Sequence, residues 1–227
     1  MSKPVAVPQE PGGAFGSVVP RGLLARVAHE VAPELLGRVL VCEEEDQVLA
    51  LRITEVEAYE GVDDPASHGW KGPTPRTEVM FGEAGHLYVY WIYGMHHAVN
   101  VVCGRTGESQ AVLIRAGEII QGHAHAAGRR PSAKRPADLA RGPGRLTRAL
   151  GIDRTVNGVD LCDPESPVRL HEPAELGGSA EPAADLTVLS GPRTGVSRAH
   201  ETPWRFWIAG EASVSPYRRH TPRVRRA

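Results

Sequence analysis

The sequence predicts an α+β fold in a single domain: a mainly antiparallel, curved sheet with a protruding β-hairpin, flanked by helices and long loops. A length of 227 residues and a hydrophobic content of 41% suit one domain with a proper core. Short apolar runs typical of strands recur along the chain, and few stretches show helical periodicity. Segments rich in Pro and Gly separate these runs, which predicts several long loops.

The first predicted elements are a broken helix and two strands. Apolar residues recur at helical spacing over Gly22–Leu36, and Pro33 is expected to break this helix into two short pieces. The residues of Val39–Cys42 and Val48–Glu57 favour strands, and an acidic turn lies between them.

The middle of the chain is predicted to supply most of the remaining sheet. Residues 63–77 are polar and rich in Pro and Gly, which predicts a long surface loop. Three strands are predicted after this loop, at Leu87–Ile92, Val99–Cys103 and Ala111–Arg115. Gly94 favours a turn directly after the first of them, and a hairpin is expected to protrude there.

The later elements are predicted to be shorter. A helix is expected at Glu118–His125, and the Ala-, Arg- and Pro-rich stretch at 125–136 has the composition of a disordered linker. The sequence Gly-Pro-Gly at 142–144 precedes a short predicted helix at Arg145–Leu150. A strand predicted at Trp204–Ala209 is expected to close the core.

The two ends of the chain differ in composition from the predicted domain at 20–217. Residues 1–19 are rich in Pro and Gly, without the basic and apolar segments of a signal peptide, and are expected to form a disordered tail. Residues 218–227 contain five arginines and no acid, and are expected to form a basic tail.

The charged residues are segregated along the chain, although the net charge is only −1. Residues 122–148 contain seven basic side chains, opposed only by Asp138, while acidic residues gather at 43–46 and at 163–185. This pattern is compatible with one basic face that binds nucleic acid, and equally with a solvated loop and a solvated tail.

The cysteine and histidine pattern predicts neither a disulfide framework nor a metal site. Cys42, Cys103 and Cys162 are odd in number and widely spaced, which is typical of a reducing, cytoplasmic compartment. No Cys-x-x-Cys pair is present, and no histidine pair has a zinc-like partner set. No apolar run approaches the roughly 20 residues that span a membrane. We therefore expect no cofactor, no metal and no membrane partner, and a monomer.

A pair of carboxylates is the first candidate for chemistry. In a strand, Glu55, Glu57 and Tyr59 would share one face, with the carboxylates roughly 7 Å apart, a separation found in inverting glycosidases. The alternative is a solvent-facing strand with two surface charges. The loop that follows favours the first interpretation, because it contains His68 and Arg76, and binding groups are common in such loops.

Aromatic side chains are concentrated near these carboxylates. Four of the twelve aromatic residues fall within 88–93, where Tyr88 and Tyr90 would share one strand face and Trp91 and Tyr93 the other. They would form core, or hold a flat ligand such as a base. The turn at Gly94 would place Tyr93 at a hairpin tip, where it could wedge into a duplex and fill the gap left by an extruded base.

The motifs around these residues resemble those of the alkyladenine (3-methyladenine) DNA glycosylases. The resemblance runs from about Leu23 to Ser215, and its motifs are long, ordered and specific. They are Thr-Glu-Val-Glu-Ala-Tyr (54–59), Asp-Pro-Ala-Ser-His (64–68), Thr-Pro-Arg (74–76), Met-Phe (80–81), Gly-x-Leu-Tyr-Val-Tyr-x-Ile-Tyr-Gly-Met (85–95), Asn100, Ala-Val-Leu-Ile-Arg (111–115), Gly-Pro (142–143) with Leu146, and Arg-Phe (205–206).

Carried over by motif position, the resemblance implies a catalytic pair and an aromatic pocket. Glu57 corresponds to the general base that activates the attacking water, and Arg115 to a residue that helps to position that water and the nearby phosphate. Tyr59 and Tyr90 correspond to the walls that stack on a flipped base, with His68 as a further wall and hydrogen-bond donor.

The resemblance also implies residues that discriminate between bases and hold the duplex. Asn100 corresponds to the residue that crowds the 2-amino group of guanine, and Tyr93 and Met95 to intercalating side chains. Three further side chains are expected to contact the DNA backbone: Thr74, Arg76 and Arg145. No role follows for Glu55.

Such enzymes bind duplex DNA, excise alkylated purines and often hypoxanthine by hydrolysing the N-glycosidic bond, and act in base-excision repair. No lysine stands in the core motif, so we expect a monofunctional glycosylase that leaves an abasic site. Two alternatives remain from chemistry alone: a carbohydrate glycosidase, and a non-catalytic module that binds damaged DNA.

Overall fold

One nine-stranded sheet organises the part of the chain that the computed structural model describes, which is residues 15–45, 47–92, 94–174 and 186–221. All its strand pairings are antiparallel, so the predicted α+β class with a mainly antiparallel sheet is confirmed. The strands are β1 (Phe15–Val18), β2 (Val39–Glu44), β3 (Gln47–Glu60), β4 (Leu87–Ile92), β5 (His96–Val102), β6 (Gln110–Gln121), β7 (Val168–Pro173), β8 (Val188–Gly191) and β9 (Arg205–Ile208). The helices are α1 (Arg21–Leu24), α2 (Ala28–Glu34), α3 (His123–Arg129) and α4 (Pro143–Leu150).

The long strand β3 changes its neighbour halfway along its length. The strands follow the order β1-β7-β2-β3-β6-β5-β4, and β9 pairs with both β3 and β8. One edge of β3 pairs with β6 along most of its length, while the other edge pairs first with β2 and then, at Glu55–Glu57, with β9. The β3–β6 register shifts on both sides of Glu55. Such irregularities bend a strand and redirect its side chains.

The hydrophobic core lies between the sheet and the short helices. Strands β3 and β6 are buried along their central residues, which is why they lack a clean polar and apolar alternation. Leu24, Val31 and Leu146 bring α1, α2 and α4 into this core. Within the described residues, no helix has the length and apolar character needed to cross a membrane.

The predicted break of the first helix at Pro33 is wrong. Pro33 lies inside α2, one residue before its end, and the helical segment is instead interrupted between Leu24 and Ala28. Side chains from distant strands bind the free N–H groups at the start of α2: Gln110 accepts from the Ala28 amide at 2.7 Å, and Glu60 from the His29 amide at 3.0 Å. These distant capping residues set the start of α2, so the local sequence contains no capping signal for it.

The prediction of a helix at Glu118–His125 is wrong for its first half. Strand β6 continues to Gln121 because Ile119 pairs with Leu51 of β3. Gly122 then takes a positive φ of 78°, and α3 begins at His123. Helix α3 therefore occupies part of the stretch at 125–136, for which a disordered linker was predicted.

The ends of the domain also differ from the predicted boundaries. Strand β1 pairs with β7, so residues 15–18 belong to the sheet and not to a disordered tail. Residues 1–14 and 222–227 lie outside the described residues. Residues 218–221 are described, and the carbonyl of Arg218 accepts a hydrogen bond from the Gly195 amide.

The predicted hairpin is formed by β4 and β5, in which Ile92 pairs with His96. Gly94 takes a positive φ of 71° in the turn, a backbone region that glycine enters without strain. Tyr93, predicted to intercalate, lies outside the described residues.

Candidate active site

Glu55 and Glu57 lie on one face of β3, and both carboxylates are fully buried. Arg115 of β6 joins them: its Nε donates to Glu55 Oε1 at 3.1 Å and its Nη1 to Glu57 Oε2 at 3.2 Å. The alternative of a solvent-facing strand with two surface charges is therefore wrong. Buried carboxylates need charged or hydrogen-bonding partners, and a guanidinium with donors in one plane can serve two of them at once.

Glu57 lies directly beneath the floor of a cleft. Its Oε2 accepts a second hydrogen bond from the Tyr59 hydroxyl at 2.8 Å, and its Oε1 accepts from the Thr194 amide at 2.6 Å. Tyr59, Arg115 and Thr194 line the cleft, whereas Glu57 has no exposed surface. The carboxylate acts only as an acceptor, and a single layer of donors separates it from the cleft.

The groups around Glu57 keep their protons. Burial alone would lower the pKa of Arg115, but the facing carboxylates of Glu57 and Glu55 raise it above its ordinary value. Burial, and next the charge of Glu57, raise the pKa of Tyr59 well above 10. Both side chains therefore remain donors to Glu57 across the physiological range.

Glu55 is held away from the cleft by a larger set of donors. Besides Arg115, its carboxylate accepts from Arg205 Nε at 2.7 Å, from the Ser215 amide at 2.7 Å and from the Ser215 hydroxyl at 3.0 Å. Glu55 thus connects β6, β9 and the C-terminal segment. The sequence had left this residue without a role.

The cleft above Glu57 has a volume of about 1270 Å³ and an aromatic lining. The Tyr88 and Tyr90 rings stack with their centroids 5.3 Å apart and their planes 18° apart. His68 meets Tyr90 edge-on, with centroids 4.4 Å apart. The structure brings together in this cleft five of the side chains predicted for catalysis or base binding: Tyr59, His68, Tyr90, Asn100 and Arg115.

Asn100 is fixed in the wall of the cleft by strand pairing and a weak hydrogen bond. It lies on β5 opposite Tyr88 and is buried, and its Nδ2 donates to the Tyr88 carbonyl at 3.4 Å. A short amide held in this way can restrict the shape of a ligand without moving.

His68 is expected to titrate with a midpoint near pH 4 rather than 6.5. Part of its ring is exposed to solvent, but its inner side packs against Tyr90, and burial followed by the nearby charge of Arg76 lowers its pKa to about 4. Nuclear magnetic resonance of the ring protons during a pH titration measures this midpoint. Arg76→Gln is expected to shift it upward, because one of the two causes is removed. A wild-type midpoint near 6.5 would contradict the assignment.

Arginines line the rim of the cleft. They come from the 63–77 loop, from the residues just before α4 and its first turn, and from the C-terminal segment: Arg76, Arg141, Arg145, Arg218 and Arg219. Among the described residues that line the cleft, none is an aspartate or a glutamate. Only part of the predicted basic segment at 122–148 reaches this rim, since Arg129 and Arg135 pair instead with Glu44 and Asp138.

Two predicted DNA-contacting side chains lie outside the cleft. Thr74 is exposed and bonds to the Thr77 hydroxyl at 2.9 Å. Met95 is 69% exposed on the hairpin turn, beside a smaller hollow that His96 and His97 also line. Within the described ranges, no three histidine, cysteine or acidic side chains are placed to hold a metal ion.

A buried arginine that sequence reasoning missed packs against the Tyr59 ring in the wall of the cleft. Arg193 is fully buried and pairs with Asp64, and its guanidinium lies 4.7 Å from the Tyr59 ring centroid. It precedes Thr194, whose amide contacts Glu57. The sequence did offer one signal: Arg193 and Thr194 lie between Gly191-Pro192 and Gly195, a pattern typical of an ordered functional loop. Ser215 was likewise missed.

Comparisons with known proteins identify the family of this chain. A relative from Streptomyces avermitilis is 52% identical over 208 residues, which cover 91% of this chain and 94% of the relative. Relatives from Rhodococcus jostii (48% identical, covering 86% of this chain and 83% of the relative) and Burkholderia lata (45%, covering 88% and 92%) are similar over comparable lengths. All three are provisionally named 3-methyladenine DNA glycosylase. The sequence profile of methylpurine-DNA glycosylase matches residues 23–212, and this chain belongs to that family.

Proposed function

We propose that this glycosylase flips alkylated purines out of duplex DNA and hydrolyses their N-glycosidic bond with a water that Glu57 activates, leaving an abasic site. The observation behind the proposal is the position of the Glu57 and Arg115 pair directly under an aromatic cleft with a basic rim. A neutral sugar does not need this rim, and a non-catalytic module does not need a buried carboxylate beneath its ligand site.

The aromatic lining favours cationic bases. Stacking on an aromatic side chain is worth about 1–3 kcal/mol per base, and extruding a base costs a few kcal/mol, so a normal base gains little. Alkylated purines such as 3-methyladenine and 7-methylguanine are positively charged, which adds about 0.5–2 kcal/mol of cation–π attraction to Tyr59 and Tyr90. Hypoxanthine is neutral and would need a proton to leave, so it is expected to be a poorer substrate.

Glu57 is suited to accept the proton of the attacking water. General base catalysis requires the base within about 2.6–3.2 Å of the water, and a carboxylate beside the sugar also stabilises its developing positive charge. Because Glu57 has no exposed surface, the flipped nucleotide must displace Tyr59 or Arg115 slightly before water reaches the carboxylate. Arg115, which remains charged, then holds the water and the phosphate on the cleft side.

The same arrangement supports a monofunctional enzyme. Strand cleavage through a Schiff base needs an amine at the sugar carbon, and no lysine is among the described residues that line the cleft. We propose that the enzyme acts as a monomer on damaged duplex DNA. We propose that it acts in the cytoplasm, at the nucleoid, where such a substrate is found.

The hairpin between β4 and β5 is proposed to enter the duplex with Tyr93 and Met95. Met95→Ala is expected to weaken binding to duplex DNA with an abasic-site mimic about tenfold, because burying a methionine is worth about 1.5–3 kcal/mol and alanine loses part of it. The melting temperature should not change, since Met95 is 69% exposed. Fluorescence anisotropy measures the affinity.

Val62→Ala is the matched control, because Val62 is 61% exposed and does not line the cleft. It is expected to bind the same DNA as wild type does. Equal affinity of Met95→Ala and wild type would remove Met95 from the intercalating set.

The proposed activity is tested by incubating the protein with methylated duplex DNA and separating the released bases by chromatography. Release of 3-methyladenine, with abasic sites and without strand breaks, is the expected result. Failure to release any methylated purine, or strand cleavage trapped by borohydride, would contradict the proposal. Binding to duplex DNA that does not weaken as salt rises would argue against a nucleic-acid ligand altogether.

A further inference from the structure

Glu55 accepts more hydrogen bonds than Glu57, although it does not line the cleft. Its carboxylate accepts from Arg115, Arg205 and both the amide and the hydroxyl of Ser215. It has no exposed surface and the proposed mechanism does not use it. Four donors around one buried carboxylate indicate that Glu55 has a structural or functional role.

The donors of Glu55 belong to two different parts of the site. Arg115 is the partner of Glu57, and its orientation is set by donating Nε to one carboxylate and Nη1 to the other. Two acceptors at different positions fix both the location and the plane of a guanidinium. With only Glu57 left, Arg115 could rotate about that single contact.

Ser215 begins the segment 215–221, which runs along the cleft. Arg205 Nη2 also donates to the Ser215 carbonyl at 2.9 Å, so Glu55 holds the amide of Ser215 and Arg205 holds its carbonyl. Residues 215, 216 and 218–221 line the cleft, and Arg218 and Arg219 are among them. The anchor of this basic segment is therefore the same carboxylate that orients Arg115.

We propose that Glu55 is a positioning residue that aligns Arg115 beside Glu57 and anchors the segment 215–221, which presents Arg218 and Arg219 to the DNA backbone. The proposal rests on the proposed function for its catalytic half, whereas the anchoring half does not depend on activity. One buried carboxylate thereby couples the reacting groups to the surface that holds the duplex.

Charge balance decides which variants are informative. Glu55 and Glu57 face Arg115 and Arg205, so two negative groups balance two positive groups. Glu55→Gln leaves one guanidinium unbalanced and can destabilise the fold. The double variant Glu55→Gln/Arg205→Gln restores the balance, and Glu55→Asp keeps the charge on a shorter side chain.

The first measurement is the single-turnover rate of purine release from methylated duplex DNA at saturating enzyme, for variants whose melting curves show that they fold. We expect Glu55→Gln and the charge-balanced double variant to be at least tenfold slower than wild type, with Glu55→Asp in between. A wild-type rate for Glu55→Gln would overturn the proposal. Full recovery in the double variant would also overturn it, since Glu55 would then only neutralise Arg205.

The second measurement is the rate at which trypsin cleaves after Arg218 and Arg219. We expect cleavage to be about tenfold faster in Glu55→Gln than in wild type, because the Ser215 amide and hydroxyl donate to different oxygens of Glu55 and glutamine keeps only one of them. Thr54→Val is the matched control: Thr54 is buried on the same strand and bonds to the Ser213 hydroxyl, but it does not line the cleft. Its excision and cleavage rates should equal those of wild type.

The two measurements separate the proposals. A wild-type protein that releases no purine would end the proposed function, and the trypsin comparison would still decide whether Glu55 anchors the segment. Unchanged trypsin cleavage in Glu55→Gln, or equally fast cleavage in Thr54→Val, would overturn the anchoring role.

Discussion

Replacing Glu57 by glutamine is expected to lower the single-turnover rate of purine release by about 10²- to 10⁴-fold, the usual contribution of a general base. Glutamine keeps the shape of the side chain and an oxygen for the Thr194 amide, but it cannot accept a proton. Arg115 retains Glu55 as a partner, so the fold should survive. Binding to DNA with an abasic-site mimic should change little, because Glu57 lies beneath the cleft surface.

Glu60→Gln is the matched control for this prediction. Glu60 lies at the end of the same strand, accepts a hydrogen bond from His29 and does not line the cleft. It is expected to release purines at the wild-type rate. A Glu57→Gln enzyme that kept more than about a tenth of the wild-type rate would show that Glu57 is not the base.

The strand positions of the site could be predicted because strand geometry is local. A period of two residues places Glu55, Glu57 and Tyr59 on one face, and the aromatic spacing places Tyr88 and Tyr90 on one face. The burial of both carboxylates could not be predicted in the same way. It depends on distant groups that pack against the carboxylates, namely Arg115 of β6, Arg205 of β9 and Ser215.

The residues that were missed act through contacts between distant parts of the chain. Arg193 pairs with Asp64, 129 positions away, and Ser215 bonds to Glu55 across 160 positions. Neither contact leaves a periodic pattern in its own segment. The misplaced boundary of α2 has the same cause, since Gln110 and Glu60 cap it from the sheet. Local spacing therefore predicts which face a side chain occupies, but not which distant partner it meets.

The largest effect on stability is expected from Asp64→Asn. Arg193 is fully buried, donates to both oxygens of Asp64 and also bonds to the Ala58 carbonyl at 2.9 Å. Breaking a buried ion pair typically costs about 3–5 kcal/mol, because it leaves a charge without its partner in a low-dielectric interior. Asparagine can still accept one hydrogen bond, so we expect a loss near 3 kcal/mol, a large share of the about 5–15 kcal/mol that stabilises a typical domain.

Scanning calorimetry should show this loss as a lower melting temperature, by about 6–12 °C for a domain of this size. Asp138→Asn is the matched control, because Asp138 pairs with Arg135 at the surface, where ion pairs contribute little, and its melting curve should match wild type. Arg193 also lies against Tyr59 and directly precedes Thr194, so Asp64→Asn should slow purine release even well below its melting temperature. Melting within about 2 °C of wild type would mean that the buried pair contributes no more than a surface pair does.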